Sequence, residues 1–317
     1  MKIDGARELL TLLRRAAAPV SGAALARRFG VSRAAVHKRI EKLRVQGHRV
    51  TGTQRLGYRF VAGGDRLDVS MDLRGFAGPL VHRRRVPSTQ DEVKDRAARG
   101  VPEGLIVVAD RQAAGRGRRG RVWSSPAGGL WYSLLLRPST PPHRAPSLAL
   151  VAALDWAETL RRRGVPAGVK WPNDVWADGK KIAGILTEMA LEPDRVLWMV
   201  LGVGINVNNR APTLPETATA SVRDWTGPVS RGDLLSDWLG RFARSYARHD
   251  RAGFAPFQRA YNARSVLNGR WVTGVGPDGP VRGRALGVDA DGRLRLAVGR
   301  RTVSVLGGDV SLLRPDR

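Results

Sequence analysis

Residues 112–123, which read QAAGRGRRGRVW, have the clearest chemical character in this sequence. Alternating glycines let a backbone approach a ligand and point successive N–H groups at an anion. The arginines between them add planar, bidentate donors for phosphate or carboxylate. Similar runs occur in flexible RNA-binding tails, but strand-like residues flank this one, at 104–109 and 130–136. The segment is therefore predicted to be an anion-binding loop between two core strands.

A second segment, residues 170–188, combines lysines with a hairpin pattern. A tight turn is predicted at Asp178-Gly179, between two strands. The chain has seven lysines among its 54 basic residues, and three of them, at positions 170, 180 and 181, fall in this segment. Lysine is a compact point charge that arginine does not replace at every site. The pattern favours a hairpin that offers ammonium groups to a ligand; chance clustering is the alternative.

Five motifs, in this order along the chain, resemble those of the biotin–protein ligases. They are Ser88-Thr89-Gln90, GRGRRGR at 115–121, KWPND at 170–174, KIAGIL at 181–186 and GVGIN at 202–206. With the N-terminal pattern described below, the chain resembles the bifunctional members of the family, which also act as the biotin operon repressor. The family usually has Asn where this chain has Gln90, so a contact of that amide with the ligand is shifted or lost.

The resemblance implies a two-step reaction. The carboxylate of biotin attacks the α-phosphate of ATP, with Mg2+ bound, to give biotinyl-5′-adenylate and pyrophosphate. A lysine of the biotin carboxyl carrier protein then attacks the adenylate. Because one anion must attack another in the first step, positive groups have to be fixed where charge accumulates.

The resemblance also implies roles for individual residues. The implied catalytic residues are Lys181 and Arg118, with no metal held by the protein itself. The implied biotin-binding residues are Ser88, Thr89, Gln90, Gln112, Gly115, Arg116, Gly117, Arg118 and Lys181. The implied ATP- and adenylate-binding residues are Arg118, Arg119, Arg121, Lys170, Asn173 and Asn206. A glycine-rich loop that closes over the adenylate would exclude water and delay its release.

Residues 1–61 have the pattern of a winged helix-turn-helix. Ser21 and Ser32 can cap two helices, Gly30 supplies the turn between them, and two short strands follow. This segment carries fourteen basic and three acidic side chains, a net charge of +11, which suits DNA. The candidates for DNA contact are Ser32, Arg33, Ala34, His37 and Lys38 on the second helix of the motif, and Arg55 in the wing. A winged helix used for protein contacts, or kept without a DNA function, is the alternative.

The elements around these motifs indicate an α+β multidomain chain. We expect a winged-helix domain at 1–63 and a linker at 64–75. A catalytic domain at 76–264 would have a mixed sheet similar to the class II aminoacyl-tRNA synthetases. Short alternating runs with glycine turns predict an antiparallel β domain at 265–317, which resembles the SH3-like barrel of the family. Trp238, Phe242 and Tyr246, at four-residue spacing, are expected to pack as core.

Composition narrows the class of protein. A chain of 317 residues suits two or three domains, and its net charge of +26 favours anionic partners. There is no cysteine, which excludes disulfides and thiolate metal sites. The N-terminus lacks the pattern of a signal peptide, and the longest apolar run, Val196–Ile205, is too short to cross a bilayer. We expect a soluble cytoplasmic protein without a membrane partner. The partners that the resemblance implies are the biotin carboxyl carrier protein, operator DNA and a second copy of the chain in a homodimer.

Two other functions compete with a bifunctional ligase. One is a biotin sensor with a catalytically inactive binding domain, which would not need the arginine loop and Lys181. The other is a related acyl ligase such as a lipoate ligase, and those enzymes share the fold but not this loop. The intact motifs favour the ligase over both alternatives.

Overall fold

The computed structural model describes residues 5–16, 18–45, 49–53, 56–62, 67, 73, 75–214, 217–276, 279–305 and 307–312. The chain divides into two units, one formed by residues 1–72 with 230–234 and the other by residues 73–229 with 235–317. The helix-turn-helix pattern lies in the first unit. All the segments predicted to bind biotin or ATP lie in the second.

The first unit contains three helices followed by a two-stranded antiparallel sheet. The helices are α1 (Gly5–Arg15), α2 (Gly22–Phe29) and α3 (Arg33–Val45), and the strands are β1 (Arg49–Thr53) and β2 (Gly57–Ala62). This order of elements confirms the predicted winged helix-turn-helix.

Local signals in the sequence set the ends of these helices. Ser21 Oγ accepts a hydrogen bond from the amide of Ala24 at 3.1 Å, and Ser32 Oγ accepts one from the amide of Ala35 at 3.1 Å. Gly30, at the end of α2, has a φ of 60°, a conformation that residues with a Cβ rarely adopt. The apolar faces of the helices meet in a core that includes Leu9, Leu13, Leu25, Val36, Ile40 and Leu43.

The second unit is built on a mixed sheet. Its strands are β3 (Leu80–Arg83), β4 (Ile106–Ala109), β5 (Leu130–Leu136), β6 (Ala167–Lys170), β7 (Asp174–Ala177), β8 (Lys180–Leu191) and β9 (Val196–Ile205). Their order across the sheet is β3-β4-β5-β9-β8-β7-β6. β3 runs parallel to β4 and the other neighbours are antiparallel, which confirms the predicted mixed sheet.

The helices that accompany this sheet are α4 (Thr89–Ala98), α5 (Leu148–Arg161), α6 (Arg223–Thr226), α7 (Arg231–Ala252) and α8 (Gln258–Arg264). α4, α5 and α8 contact its strands, and α7 packs on α5 through aromatic rings. On α7, the Trp238 ring stacks on Phe242 at 4.6 Å and on Trp156 of α5 at 5.3 Å, measured between centroids. Trp238 and Phe242 are buried and pack as core, as predicted. Tyr246 is only partly buried, and its hydroxyl donates to Glu103 Oε1 at 2.6 Å. No helix among the described residues is both long and apolar enough to cross a membrane.

An antiparallel sheet ends the second unit. Its strands are β10 (Trp271–Gly276), β11 (Gly279–Val288), β12 (Leu294–Val298), β13 (Arg301–Val305) and β14 (Gly307–Leu312), in the order β13-β12-β11-β10-β14. This confirms the predicted C-terminal β domain. Trp171 Nε1 donates a hydrogen bond to the carbonyl of Gly292 at 2.9 Å, so the β11–β12 turn is fastened to the KWPND motif.

Candidate active site

One cavity of about 400 Å³ in the second unit collects most of the residues that the sequence predicts for ligand binding. We call it the first cavity. The predicted residues that line it are Ser88, Thr89, Gln90, Gln112, Arg116, Gly117, Arg118, Arg121, Asn173 and Lys181. The motif at 202–206 also contributes, through Gly202, Val203 and Gly204. All five motifs, although distant in the sequence, therefore meet in one place.

The glycine-arginine loop, residues 115–123, lies between β4 and β5 as predicted and forms a narrow hairpin of its own. The Gly117 amide donates to the Arg121 carbonyl at 2.8 Å, and the Trp123 amide donates to the Gly115 carbonyl at 2.8 Å. A Cβ on Gly115 would lie 2.5 Å from the Trp123 carbonyl oxygen, so the close approach of the two arms requires glycine. Gly115 does not itself line the cavity; it allows the loop to close.

The lysine hairpin, residues 174–188, places Lys181 at the cavity wall. Its turn is formed by Asp178 and Gly179, with φ values of 46° and 75°, as a type I′ turn requires. Lys181 Nζ lies 2.8 Å from Asp174 Oδ2 and 5.2 Å from the centroid of the Trp123 ring. The two charged side chains are only 19% and 18% exposed. The ammonium group is therefore held in position by a carboxylate and an aromatic ring.

A polar network lines another part of the first cavity. Gln112 Oε1 accepts hydrogen bonds from the Thr89 amide at 2.9 Å and the Thr89 hydroxyl at 3.1 Å. Gln112 Nε2 donates to Ser125 Oγ at 2.9 Å, and the hydroxyls of Thr89 and Ser133 lie 2.9 Å apart. Ser88 is buried beside them. Hydroxyl and amide groups both donate and accept, so this wall can bind a small ligand group that does the same.

Gln90, the departure from the family pattern, is used by the sheet itself. Its Nε2 donates to the carbonyl of Leu186 at 3.3 Å and is 3.4 Å from that of Val200, on neighbouring strands. Its Oε1 accepts from the Ser133 hydroxyl at 3.3 Å. The longer amide thus crosses from α4 to β8 and β9, and much of its hydrogen-bonding capacity serves the fold.

Glycines of β9 and the Trp123 ring shape the cavity, and none of them is among the binding residues that the sequence predicts. A Cβ on Gly202 would collide with Gln90 Oε1, and a Cβ on Gly204 would collide with the Trp123 indole. On β8, a Cβ at Gly184 would lie 3.0 Å from the same indole. The signal was present in the GVGIN motif, because glycine inside a strand often marks a close approach of another group.

A second cavity, of about 630 Å³, adjoins the first and lies between the mixed sheet and the C-terminal β domain. Arg118 and Asn173 line both cavities, and Arg118 Nη1 donates to Asn173 Oδ1 at 3.3 Å. The charged and titratable residues that line the second cavity are Arg118, Arg119, His143, Arg144, Asp291 and Arg293. This excess of basic groups suits an anionic ligand that extends from the first cavity.

Two residues predicted to bind the nucleotide, Lys170 and Asn206, line neither cavity. Lys170 Nζ lies 4.4 Å from the centroid of the Trp176 ring. Asn206 is buried, and its Oδ1 accepts a hydrogen bond from Asn209 Nδ2 at 2.9 Å. Asn206 directly follows the last residue of β9, and its side chain is used by the turn after the strand instead of by the cavity.

The candidate nucleic-acid interface lies in the first unit. Five of the residues predicted to contact DNA lie on α3 or just before it, and all five are exposed: Ser32, Arg33, Ala34, His37 and Lys38. His37 Nδ1 lies 3.2 Å from the Tyr58 hydroxyl, so α3 contacts the wing strand β2. Arg55 lies outside the described residues. An exposed basic helix beside a wing has the form that major-groove binding requires.

Comparison with protein families defines the class of this chain. Residues 82–206 match the Biotin/lipoate A/B protein ligase family, and residues 269–313 match the Biotin protein ligase C terminal domain. Residues 6–59 match an HTH domain. These three matches fall in the central sheet, the C-terminal β domain and the winged helix, which together define a ligase with an attached helix-turn-helix.

Individual relatives narrow the class further. The chain is 34% identical to the bifunctional ligase/repressor BirA of Bacillus spizizenii, over 92% of this chain and 94% of that protein. It is 30% identical to the bifunctional ligase/repressor BirA of Escherichia coli, over 92% of each. The structure of the biotin protein ligase from Aquifex aeolicus in complex with biotin and ATP matches with a TM-score of 0.66 and 32% identity, covering 76% of this chain and 100% of that one. This chain belongs to the biotin–protein ligase family, as its motifs predicted.

Proposed function

We propose that this protein is an ATP-dependent biotin–protein ligase whose helix-turn-helix also makes it a transcriptional repressor. It forms biotinyl-5′-adenylate from biotin and ATP and transfers biotin to a lysine of the biotin carboxyl carrier protein. The observation that carries the proposal is that Lys181, Arg118 and the polar network around Gln112 line one cavity. The similarity to bifunctional ligase/repressor proteins over 92% of the chain supports both activities.

Lys181 and Arg118 are the proposed catalytic residues. Lys181 would neutralise the biotin carboxylate and the phosphoryl oxygen that it attacks, and Asp174 keeps its ammonium group in place. Arg118 borders both cavities, so its guanidinium can contact the adenylate phosphate where they meet. Fixed cations at the point where charge develops stabilise the transition state without reorganisation.

We assign the biotin ring to the polar network. The ureido head group has donors and an acceptor, which Ser88, Thr89 and Gln112 can match. The backbone of Arg116 and Gly117 would contact biotin from the loop side. Gln90 is expected to contribute mainly through the wall that it builds, since its amide already bonds to two strands.

The phosphates of ATP are assigned to the arginines where the cavities meet. Arg121 lines the first cavity, Arg119 lines the second, and Asn173 lines both. The described residues contain no group of three or more His, Cys, Asp or Glu side chains arranged to hold a metal. Mg2+ is commonly bound through substrate phosphates with few protein carboxylates, so we propose that it enters as part of the Mg-ATP substrate.

Biotin-dependent exchange of labelled pyrophosphate into ATP tests the ligase function. We expect exchange with biotin and none with lipoate. Exchange with lipoate alone would instead identify a lipoate ligase. Biotin binding without exchange would identify a sensor that has lost its chemistry.

The repressor function is proposed from the exposed α3 and the net charge of +11 over residues 1–61. We propose that the protein is a cytoplasmic homodimer, which would present two such helices to a palindromic operator. Two measurements test this proposal, each made with and without biotin and ATP. One is binding of the protein to the DNA upstream of biotin genes, and the other is sedimentation of the protein, which reports whether it forms a dimer. Specific binding that strengthens as a dimer forms would support it; binding without sequence preference would contradict it.

A further inference from the structure

An ion pair at the edge of the first cavity ties the glycine-arginine loop to helix α4. Arg116 Nη1 donates to Asp91 Oδ2 at 2.8 Å, and Arg116 Nη2 donates to Asp91 Oδ1 at 2.5 Å. A pair of parallel hydrogen bonds between a guanidinium and a carboxylate is stronger and more directional than a single contact. The pair therefore restricts both the distance and the orientation of this part of the loop relative to α4.

Two further charges extend this pair into the sheet. Lys94 Nζ lies 3.3 Å from Asp91 Oδ1 and 2.9 Å from Glu188 Oε1 on β8. The hydrogen bond from Arg116 is the largest cause that holds the pKa of the Asp91 carboxyl below its usual value. The carboxylate is thus ionised at neutral pH and is connected to the rigid sheet as well as to the loop.

The pair joins two walls of the first cavity. Thr89 and Gln90, which line one wall, immediately precede Asp91 on α4. Arg116 belongs to the loop that forms another wall, and its backbone pairs with Val122 across the loop hairpin. A movement of the loop away from α4 would open the cavity and would have to break the pair.

We propose that Asp91 and Arg116 form a latch that keeps the loop closed and so prolongs retention of biotinyl-5′-adenylate until the acceptor lysine arrives. The proposal rests on the proposed ligase function. Asp91 acts through the loop and does not touch the reacting atoms, so it is a positioning residue. The two side chains are 40% and 37% exposed. Partly exposed pairs contribute modestly, and an effect of about fivefold on release is expected.

The test is the rate at which adenylate formed on the full-length protein escapes in the absence of carrier protein. Asp91→Asn and Arg116→Gln should each release it about fivefold faster than the wild type. The double variant should be no faster than the faster single variant, since both changes remove the same pair. Asp95→Asn removes an exposed carboxylate one turn further along α4 and is the matched control, with release at the wild-type rate.

Two further readouts separate a latch from a general loss of fold. Added salt should speed release from the wild type more than from Asp91→Asn, because it screens the pair. The KM for biotin should rise in Asp91→Asn while the maximal rate of pyrophosphate exchange stays near that of the wild type. Equal release from all variants, or additive effects in the double variant, would overturn the latch. A wild-type protein that forms no adenylate would overturn the ligase function instead.

Discussion

The lysine hairpin and the glycine-arginine loop supply cations to the same cavity by different means. The hairpin is part of the mixed sheet, and Lys181 is largely buried against Asp174. The loop lies outside the sheet, exposes 84% of Val122, and is fastened to α4 by a partly exposed ion pair. A charge held in a sheet keeps its position, whereas a charge on a loop can be withdrawn. We therefore expect the hairpin to determine the rate of adenylate formation and the loop to determine how long the adenylate stays.

Replacing Lys181 tests the hairpin half of this comparison and has the largest expected effect. Lys181→Ala removes the cation at the point where two anions react and leaves Asp174 without its partner. We expect biotin-dependent pyrophosphate exchange to fall about 100- to 1000-fold. Lys180, the exposed neighbouring lysine, is the matched control, and Lys180→Ala should exchange at nearly the wild-type rate. Equal activity of the two variants would mean that the hairpin does not supply the catalytic charge.

Replacing Arg118 tests the loop half. Arg118→Gly should still form adenylate but retain it poorly, because charged hydrogen bonds to the phosphate are lost. We expect roughly tenfold or more adenylate in solution and biotin on lysines of unrelated proteins. Biotin blotting of a protein mixture measures this. The control is Arg84→Gly, at an exposed position outside both cavities, which should label proteins as the wild type does. If labelling by Arg118→Gly remained confined to the carrier protein, the role of the loop would be contradicted.

Replacing Gly202 tests whether the mixed sheet also shapes the first cavity. In Gly202→Ala the new methyl group would collide with the Gln90 amide, which lines the first cavity and must shift. Because the shift changes the shape of this wall, we expect the KM for biotin to rise roughly tenfold, which corresponds to about 1.4 kcal/mol of binding free energy. Shortening the amide in the double variant Gly202→Ala/Gln90→Asn should lower the KM again. A KM that is unchanged in the single variant would show that biotin does not reach this wall.

Features that depend on neighbouring residues could be predicted from the sequence, whereas features that depend on packing could not. The turn at Asp178-Gly179 and the glycine-arginine loop are local patterns, so both were predicted correctly. The pairing of Arg116 with Asp91 was not, because an acidic residue in the first turn of a helix already has a local explanation in the helix dipole. The second cavity was also missed, since Arg144 and Arg293 meet there only through the packing of the C-terminal β domain against the sheet.

Replacing Asp155, on α5 of the second unit, is expected to have the smallest effect on catalysis and tests the stability of the fold instead. It is buried, and its Oδ2 has no hydrogen-bond partner among the residues that the structure describes. Burial raises the pKa of this carboxyl from its ordinary value of 3.8 to about 7. The folded protein thus holds this proton more tightly than the unfolded chain does. Stability is therefore lost as the pH rises from about 4 through 7.

Asp155→Asn removes this loss, because the amide does not ionise. The variant should be more stable than the wild type at pH 8, by roughly 2–4 kcal/mol in the free energy of unfolding, and similar to it near pH 4. Denaturant unfolding at both pH values measures the difference, and exchange activity should stay at the wild-type level. Equal stability at pH 8 would show that Asp155 ionises without penalty. A loss of exchange would show that the packing of α5 and the position of Lys181 are coupled, so that the hairpin is less rigid than the comparison with the loop requires.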